Sequence, residues 1–217
     1  MTMPILVIGD FHVPDRSREI PLPILNSVNK TARYEAVACT GDLTKVKVIE
    51  PQLNLWSDNV YCVLGNMDYD SRNTKFFPRT QVFTMNGVID DAPSLDIGIM
   101  HGHQIHPRGD FDELAKFALK MNVNLLITGH THALSVHLHE VHLSDGGMHE
   151  VLLVNPGSAT GAWSFVASMK PSFIILHHRQ VNGGVDIEFE CHEFGETGEK
   201  IWNEIFTVSP GNICQRG

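Results

Sequence analysis

The chain repeats one local design: a short apolar or β-branched run, then a glycine or a tight turn, then a side chain able to bind metal. Asn124-Leu125-Leu126-Ile127-Thr128-Gly129 runs into His130 and His132, and Ile5-Leu6-Val7-Ile8-Gly9 runs into Asp10 and His12. Ala36-Val37-Ala38-Cys39-Thr40-Gly41 leads to Asp42, Val60-Tyr61-Cys62-Val63-Leu64-Gly65 to Asn66 and Asp68, and Leu95-Asp96-Ile97-Gly98-Ile99-Met100 to His101 and His103. A single Gly-Asp after a strand is ordinarily a turn or a helix N-cap. Repeated at successive strand ends, the pattern predicts one shared pocket, because open α/β sheets bind ligands beyond the carboxyl ends of their strands.

Near-continuous apolar runs predict strands covered on both faces. Helices are expected over Pro23 to Arg33, over Thr44 to Trp56 with Pro51 limiting its regularity, and after the Asp110-x-x-Glu113 start. Strands are expected at Gln81 to Met85, with an Asn86-Gly87 turn to a partner around Val88-Ile89, and at Val151 to Val154, Lys170 to Leu176 and Val185 to Glu190. The last alternates, which predicts one wet face. His137 and His139 alternate with apolar residues before Ser144-Asp145-Gly146-Gly147, the signature of the solvated side of a hairpin, with a second metal site as the alternative. Units of βαβ followed by adjacent antiparallel strands give a mixed α/β fold.

At 217 residues, residues 1–217 are expected to form a single domain, with C-terminal strands and a tail from about residue 191. A net charge of −9 argues against a nucleic-acid partner or a polybasic membrane surface. Cys39, Cys62, Cys191 and Cys214 have no CxxC spacing, and Cys39 and Cys62 lie in apolar runs, as expected in a reducing compartment. The first residues read as a strand and no apolar run approaches about 18 residues, which points to a cytosolic protein without direct membrane insertion.

The nitrogen and oxygen donors suit manganese, iron, zinc or a mixed pair. Asp10, His12 and His132 fit one ion, Asn66, His101 and His130 fit a second, and Asp42 can bridge them. His103 and Asp68 are candidates to support these ligands or touch a substrate. A pair of ions about 3.5 to 4 Å apart suits a phosphate ester, since it acidifies a water and stabilises phosphoryl oxygens. Met67, beside Asn66, cannot donate a proton to a leaving oxygen.

Asp10-x-His12, Gly41-Asp42, Gly65-Asn66-x-Asp68, His101 and Gly129-His130-x-His132 resemble the ordered blocks of the calcineurin-like metallophosphoesterases. The resemblance implies a four-layer α/β/β/α sandwich of two mixed β-sheets and two divalent metal ions, zinc or manganese. Gly9-Asp10-Phe11-His12-Val13-Pro14, His101-Gly102-His103-Gln104, Pro107-x-Gly109-Asp110, Asn155-Pro156-Gly157-Ser158-Ala159-Thr160-Gly161-Ala162 and Pro171-Ser172-Phe173 resemble, more narrowly, the vacuolar protein sorting protein 29 family of retromer subunits. That likeness implies a scaffold for endosome-to-Golgi retrograde transport, cytoplasmic and recruited to endosomal membranes through its complex. The partner it implies is the α-solenoid subunit, vacuolar protein sorting protein 35.

Ile105, His106, Trp163 and Phe165 are the partner-binding candidates, with Ile105, Trp163 and Phe165 expected to be exposed. The retromer subunits commonly carry Asn where this chain has Asp42 and Asp where it has Asn66, and His106 stands at their usual solenoid-contacting isoleucine. Met67 replaces the histidine of the active phosphatases. The alternative is an active metal-dependent phosphodiesterase of the small prokaryotic type.

Overall fold

Ile5, Leu6, Val7 and Ile8 are all fully buried because the strand they form has a hydrophobic layer on each side. Ile5 and Val7 enter the core between two sheets, whereas Leu6 and Ile8 pack beneath helices. The structure is a computed structural model describing residues 3–68, 77–85, 95–142, 146–209 and 212–216.

In chain order the elements are β1 Ile5–Ile8, α1 Leu22–Val28, β2 Ala36–Cys39, α2 Val46–Trp56, β3 Val60–Cys62, β4 Thr80–Met85, β5 Leu95–Met100 and α3 Phe111–Lys120. There follow β6 Leu125–Ile127, β7 Ser135–His142, β8 Met148–Asn155, β9 Ser172–Val181, β10 Gly184–Gly195, β11 Gly198–Ser209 and β12 Asn212–Arg216. One sheet runs β12-β11-β10-β9-β1-β2-β3 and the other β4-β5-β6-β8-β7. Each mixes a parallel set, β1-β2-β3 or β5-β6-β8, with antiparallel neighbours.

The sheets face each other across Ile97, Ile99, Leu125, Ile127, Ile174, Leu176, Ile187 and Phe189. Helices α1 and α2 cover the far side of β1 and β2 through Ile24, Val28, Ile49 and Leu53. Helix α3 covers the second sheet through Leu114, Ala115 and Ala118 against Leu126, Val151 and Leu153. The result is an α/β/β/α sandwich in which every parallel strand is covered on both faces.

Several elements differ from expectation. Helix α1 ends at Val28, whose carbonyl accepts the Tyr34 hydroxyl at 2.9 Å, so the helix stops short of Arg33. Helix α2 starts at Val46 because Thr44 has left-handed backbone (φ +66°). Strand β4 pairs with β5; the expected turn at Asn86-Gly87, its partner at Val88-Ile89 and the Ser144-Asp145 half of the expected Ser144–Gly147 turn lie outside the described residues. His137 and His139 are half-buried and only partly solvated: α3 lies over them, with His137 stacked on Phe111 at 4.3 Å and His139 Nε2 2.8 Å from Asp112. The polar face of β10 is wet only in part, since Asp186 and His192 on it are buried.

Candidate metal centre

Strands β1, β2 and β6 are adjacent or facing parallel strands, so the turns after them meet at one edge of the sandwich. Asp10, His12, Asp42, His130 and His132 all adopt positive φ, between +49° and +66°. Left-handed backbone at a non-glycine residue costs roughly 1–3 kcal/mol, and such strain gathers where side chains must be aimed. The neighbouring glycines allow the close approach. A Cβ at Gly65 would land on the Asp42 carboxylate, and one at Gly129 on that of Asp10.

Asp10, His12, Asp42 and His132 form a buried group whose ligand atoms all lie within 4.8 Å of one another. His12 Nε2 is 3.0 Å from His132 Nε2 and 3.5 Å from Asp42 Oδ2, and His132 Nε2 is 3.2 Å from Asp10 Oδ1. Beyond Asp42, His101 Nε2 lies 3.4 Å from its Oδ2 and 3.0 Å from Asn66 Oδ1. The rings of His101 and His130 are 5.2 Å apart. All seven sequence-derived ligand candidates therefore come to one edge, with Asp42 between the two subsets.

The surrounding backbone fixes which ring nitrogens face inward. His101 Nδ1 meets the Thr40 carbonyl and His132 Nδ1 the Ala162 carbonyl, each at 2.8 Å. A carbonyl only accepts, so each Nδ1 carries the hydrogen and turns Nε2 toward the cluster, the arrangement typical of metal-ligating imidazoles. Two inward imidazole nitrogens 3.0 Å apart beside two carboxylates, whose ion-pair partners among the described residues are all histidines, fit a divalent cation bound by nitrogen and oxygen donors.

Protonation follows from the same packing. Burial pushes the Asp42 carboxyl up, but the His101 hydrogen bond and charge, with the Met67 amide at 2.7 Å, hold it at about 2. Burial pushes His101 down, and Asp42 and Asp10 outweigh it to raise the imidazole to about 9. His12 and His130 are lowered to about 4, chiefly by burial. His103 is lowered by burial and by the charge of His101, and sits at the rim with its ring 6.3 Å from that of His130. Asp68 faces away from the cluster: its carboxylate accepts from the amides of Asp42, Thr44 and Gly65 at 2.8–3.0 Å and pins the ligand loops.

Other supporting residues lay outside the sequence-based candidates. Asn155 donates to the Gly129 carbonyl at 2.9 Å and to the Thr131 hydroxyl at 3.0 Å, locking the turn that carries His130 and His132. The Ser158 hydroxyl donates to the Asp10 carbonyl at 2.7 Å, and Thr160 to that of Phe11 at 2.9 Å. The signal for them was the Asn155–Ala162 run of small residues, which suits close backbone approach.

Of the partner candidates, Trp163 and Phe165 are 55% and 80% exposed, with rings 4.8 Å apart, and His106 is exposed. Ile105 is a correction to the expected exposure: it is 5% exposed, drawn beneath α3 among Leu114, Ala115 and Ala118.

The sequence model of the calcineurin-like phosphoesterase superfamily domain matches residues 3–180. The chain belongs to this superfamily. A probable metallophosphoesterase of Methanocaldococcus jannaschii is 31% identical over 159 residues, 73% of this chain and 69% of that protein. A single-mutant Vps29 of Entamoeba histolytica is 32% identical, with a TM-score of 0.74 over 94% of this chain and 99% of that one. The wild-type Vps29 of the same organism, solved with Zn2+, is 32% identical with a TM-score of 0.70, covering 93% and 98% of the two chains. Solved neighbours of this chain thus include Vps29 structures.

Proposed function

We propose that the chain is a retromer-type scaffold subunit for endosome-to-Golgi retrograde transport, binding an α-solenoid partner of the vacuolar protein sorting protein 35 type and holding two divalent ions, zinc or manganese. The observation that carries this reading is the likeness to Vps29 over nearly the whole of both chains. An exposed apolar surface supports it: Trp163, Phe165, Val166 and Met169 are each more than half exposed on one short segment. Patches of this kind mark association sites. Membrane recruitment would then come through the complex; among the described residues no helix is long and apolar enough to cross a membrane.

Asp10, His12 and His132 would hold one ion, Asn66, His101 and His130 the other, with Asp42 shared. When bound, the pair would supply Lewis acidity toward a phosphate. This ligand set favours a second reading, a metal-dependent phosphodiesterase. Met67, whose side chain cannot transfer a proton, stands against efficient protonation of a leaving group there.

Co-purification with the solenoid subunit, paired with a Mn2+-supported assay on bis(p-nitrophenyl) phosphate, separates the readings. The scaffold reading expects a stable complex and little hydrolysis. Brisk hydrolysis without complex formation would overturn it.

A further inference from the structure

A cavity of about 250 Å3 opens on the α3 side of the Gly129–His132 turn, with Phe111, Leu114, Val154 and Val166 in its apolar wall. It shares that turn with the metal centre. Gly129 and Thr131, which flank His130, line it, and so does Gly102, which lies between His101 and His103. A cavity of about 150 Å3 accommodates benzene, so this one has room for a single substituted ring.

The charge around the cavity selects an anion. In a chain of net charge −9, the lining contains no carboxylate among the described residues, and the one ionised side chain among them is Arg108, which donates to the His130 carbonyl. The charges of Arg16 and Arg79 are felt at His12 and His103 of the neighbouring centre. The polar lining groups are turned back on the protein, since Asn155 holds Gly129, Thr131 and the Gly157 amide. The wall therefore offers apolar contact. His137 occupies one face of the Phe111 ring, which remains 40% exposed for a second aromatic contact.

We propose that this cavity receives the aromatic ring of an aryl phosphoester whose phosphate lies at the metal centre, with Arg108 at the seam between ring and anion. The assignment rests on the reading that the metal centre accepts a phosphoryl anion.

Titration calorimetry on the manganese-loaded full chain, with phenylphosphonate and methylphosphonate as probes, tests it. Phenylphosphonate should bind about tenfold more tightly. Ala133→Phe, which fills the cavity, should abolish that advantage and leave methylphosphonate unchanged. Val166→Asp, at an exposed position on the mouth, should cut the advantage severalfold without touching the core. Equal affinities in the unmodified chain, or an advantage that survives both substitutions, would overturn the cavity assignment while leaving the anion reading intact. If neither phosphonate binds, the anion reading itself fails and the cavity assignment falls with it.

Discussion

The two halves of the metal centre are built to different standards. Asp10, His12, Asp42 and His132 are each no more than 3% exposed and include two carboxylates. Asn66 and His130 are half-buried, and their half contributes one neutral amide and two imidazoles before Asp42 is shared. Asp42 reaches both, at 3.5 Å from His12 and 3.4 Å from His101. The difference teaches that affinity and access are divided: the half with two carboxylates of its own should hold its cation tightly, and the half that is open at Asn66 and His130, with His101 buried behind them, should exchange its own and face whatever docks at the edge.

Removing the shared carboxylate should have the largest effect. Asp42→Ala is expected to weaken binding of both ions by more than about 100-fold, since even residues one step behind a ligand are typically worth roughly 10–100-fold. Calorimetry on chelator-stripped protein checks this, and one equivalent retained at full affinity would show that the halves do not share Asp42. Solenoid binding should be nearly unaffected, because the exposed segment from Trp163 does not include Asp42.

Asn66→Ala separates the halves. One equivalent should weaken by about tenfold or more, while the other, held by Asp10, His12 and His132, keeps its affinity. Equal weakening of both ions would erase the distinction between an enclosed half and an open one.

The asymmetry was only partly legible in the sequence. Each ligand follows an apolar run, so strand, turn and donor could be read together, and the burial of Leu6 and Val7 on opposite faces follows from that continuity. What could not be read is long-range contact. His132 is oriented by the Ala162 carbonyl, 30 residues away, and backbone groups carry no residue-type signal. Asp68 was expected to support the ligands or touch a substrate, but that three backbone amides hold it as a loop pin is again a contact no residue type announces. Ile105 was misjudged for a related reason: a loop isoleucine reads as exposed until the amphipathic helix that covers it has been placed.

Asn155→Ala probes the supporting layer and should act more gently. Losing the Asn155 side chain removes its bonds to Gly129 and Thr131 and leaves the buried Gly157 amide without its acceptor, a cost of roughly 1–3 kcal/mol. Thermal unfolding should fall by several degrees. Metal affinity should drop in both halves, because His130 and His132 sit on the same turn and belong to different halves, by less than Asp42→Ala produces.

The smallest expected effect is a pH profile of the metal-stripped protein, in which the histidines of the centre pull in opposite directions. His12 and His130 titrate near 6.5 when unfolded and about 4 when folded, so between those values the unfolded chain binds more protons and stability falls as pH falls. His101 is raised from 6.5 to about 9, so across that interval the folded chain keeps a proton the unfolded chain has lost, and stability falls as pH rises. Stability should therefore peak near pH 6.5, with shallow limbs because His130 is partly solvated. A divalent cation would displace the His101 proton, since metal binding requires the deprotonated imidazole. Urea midpoints measured across this range should thus lose the alkaline limb when metal is restored, and an alkaline limb that persists with metal bound would mean that His101 keeps its proton and is not a ligand.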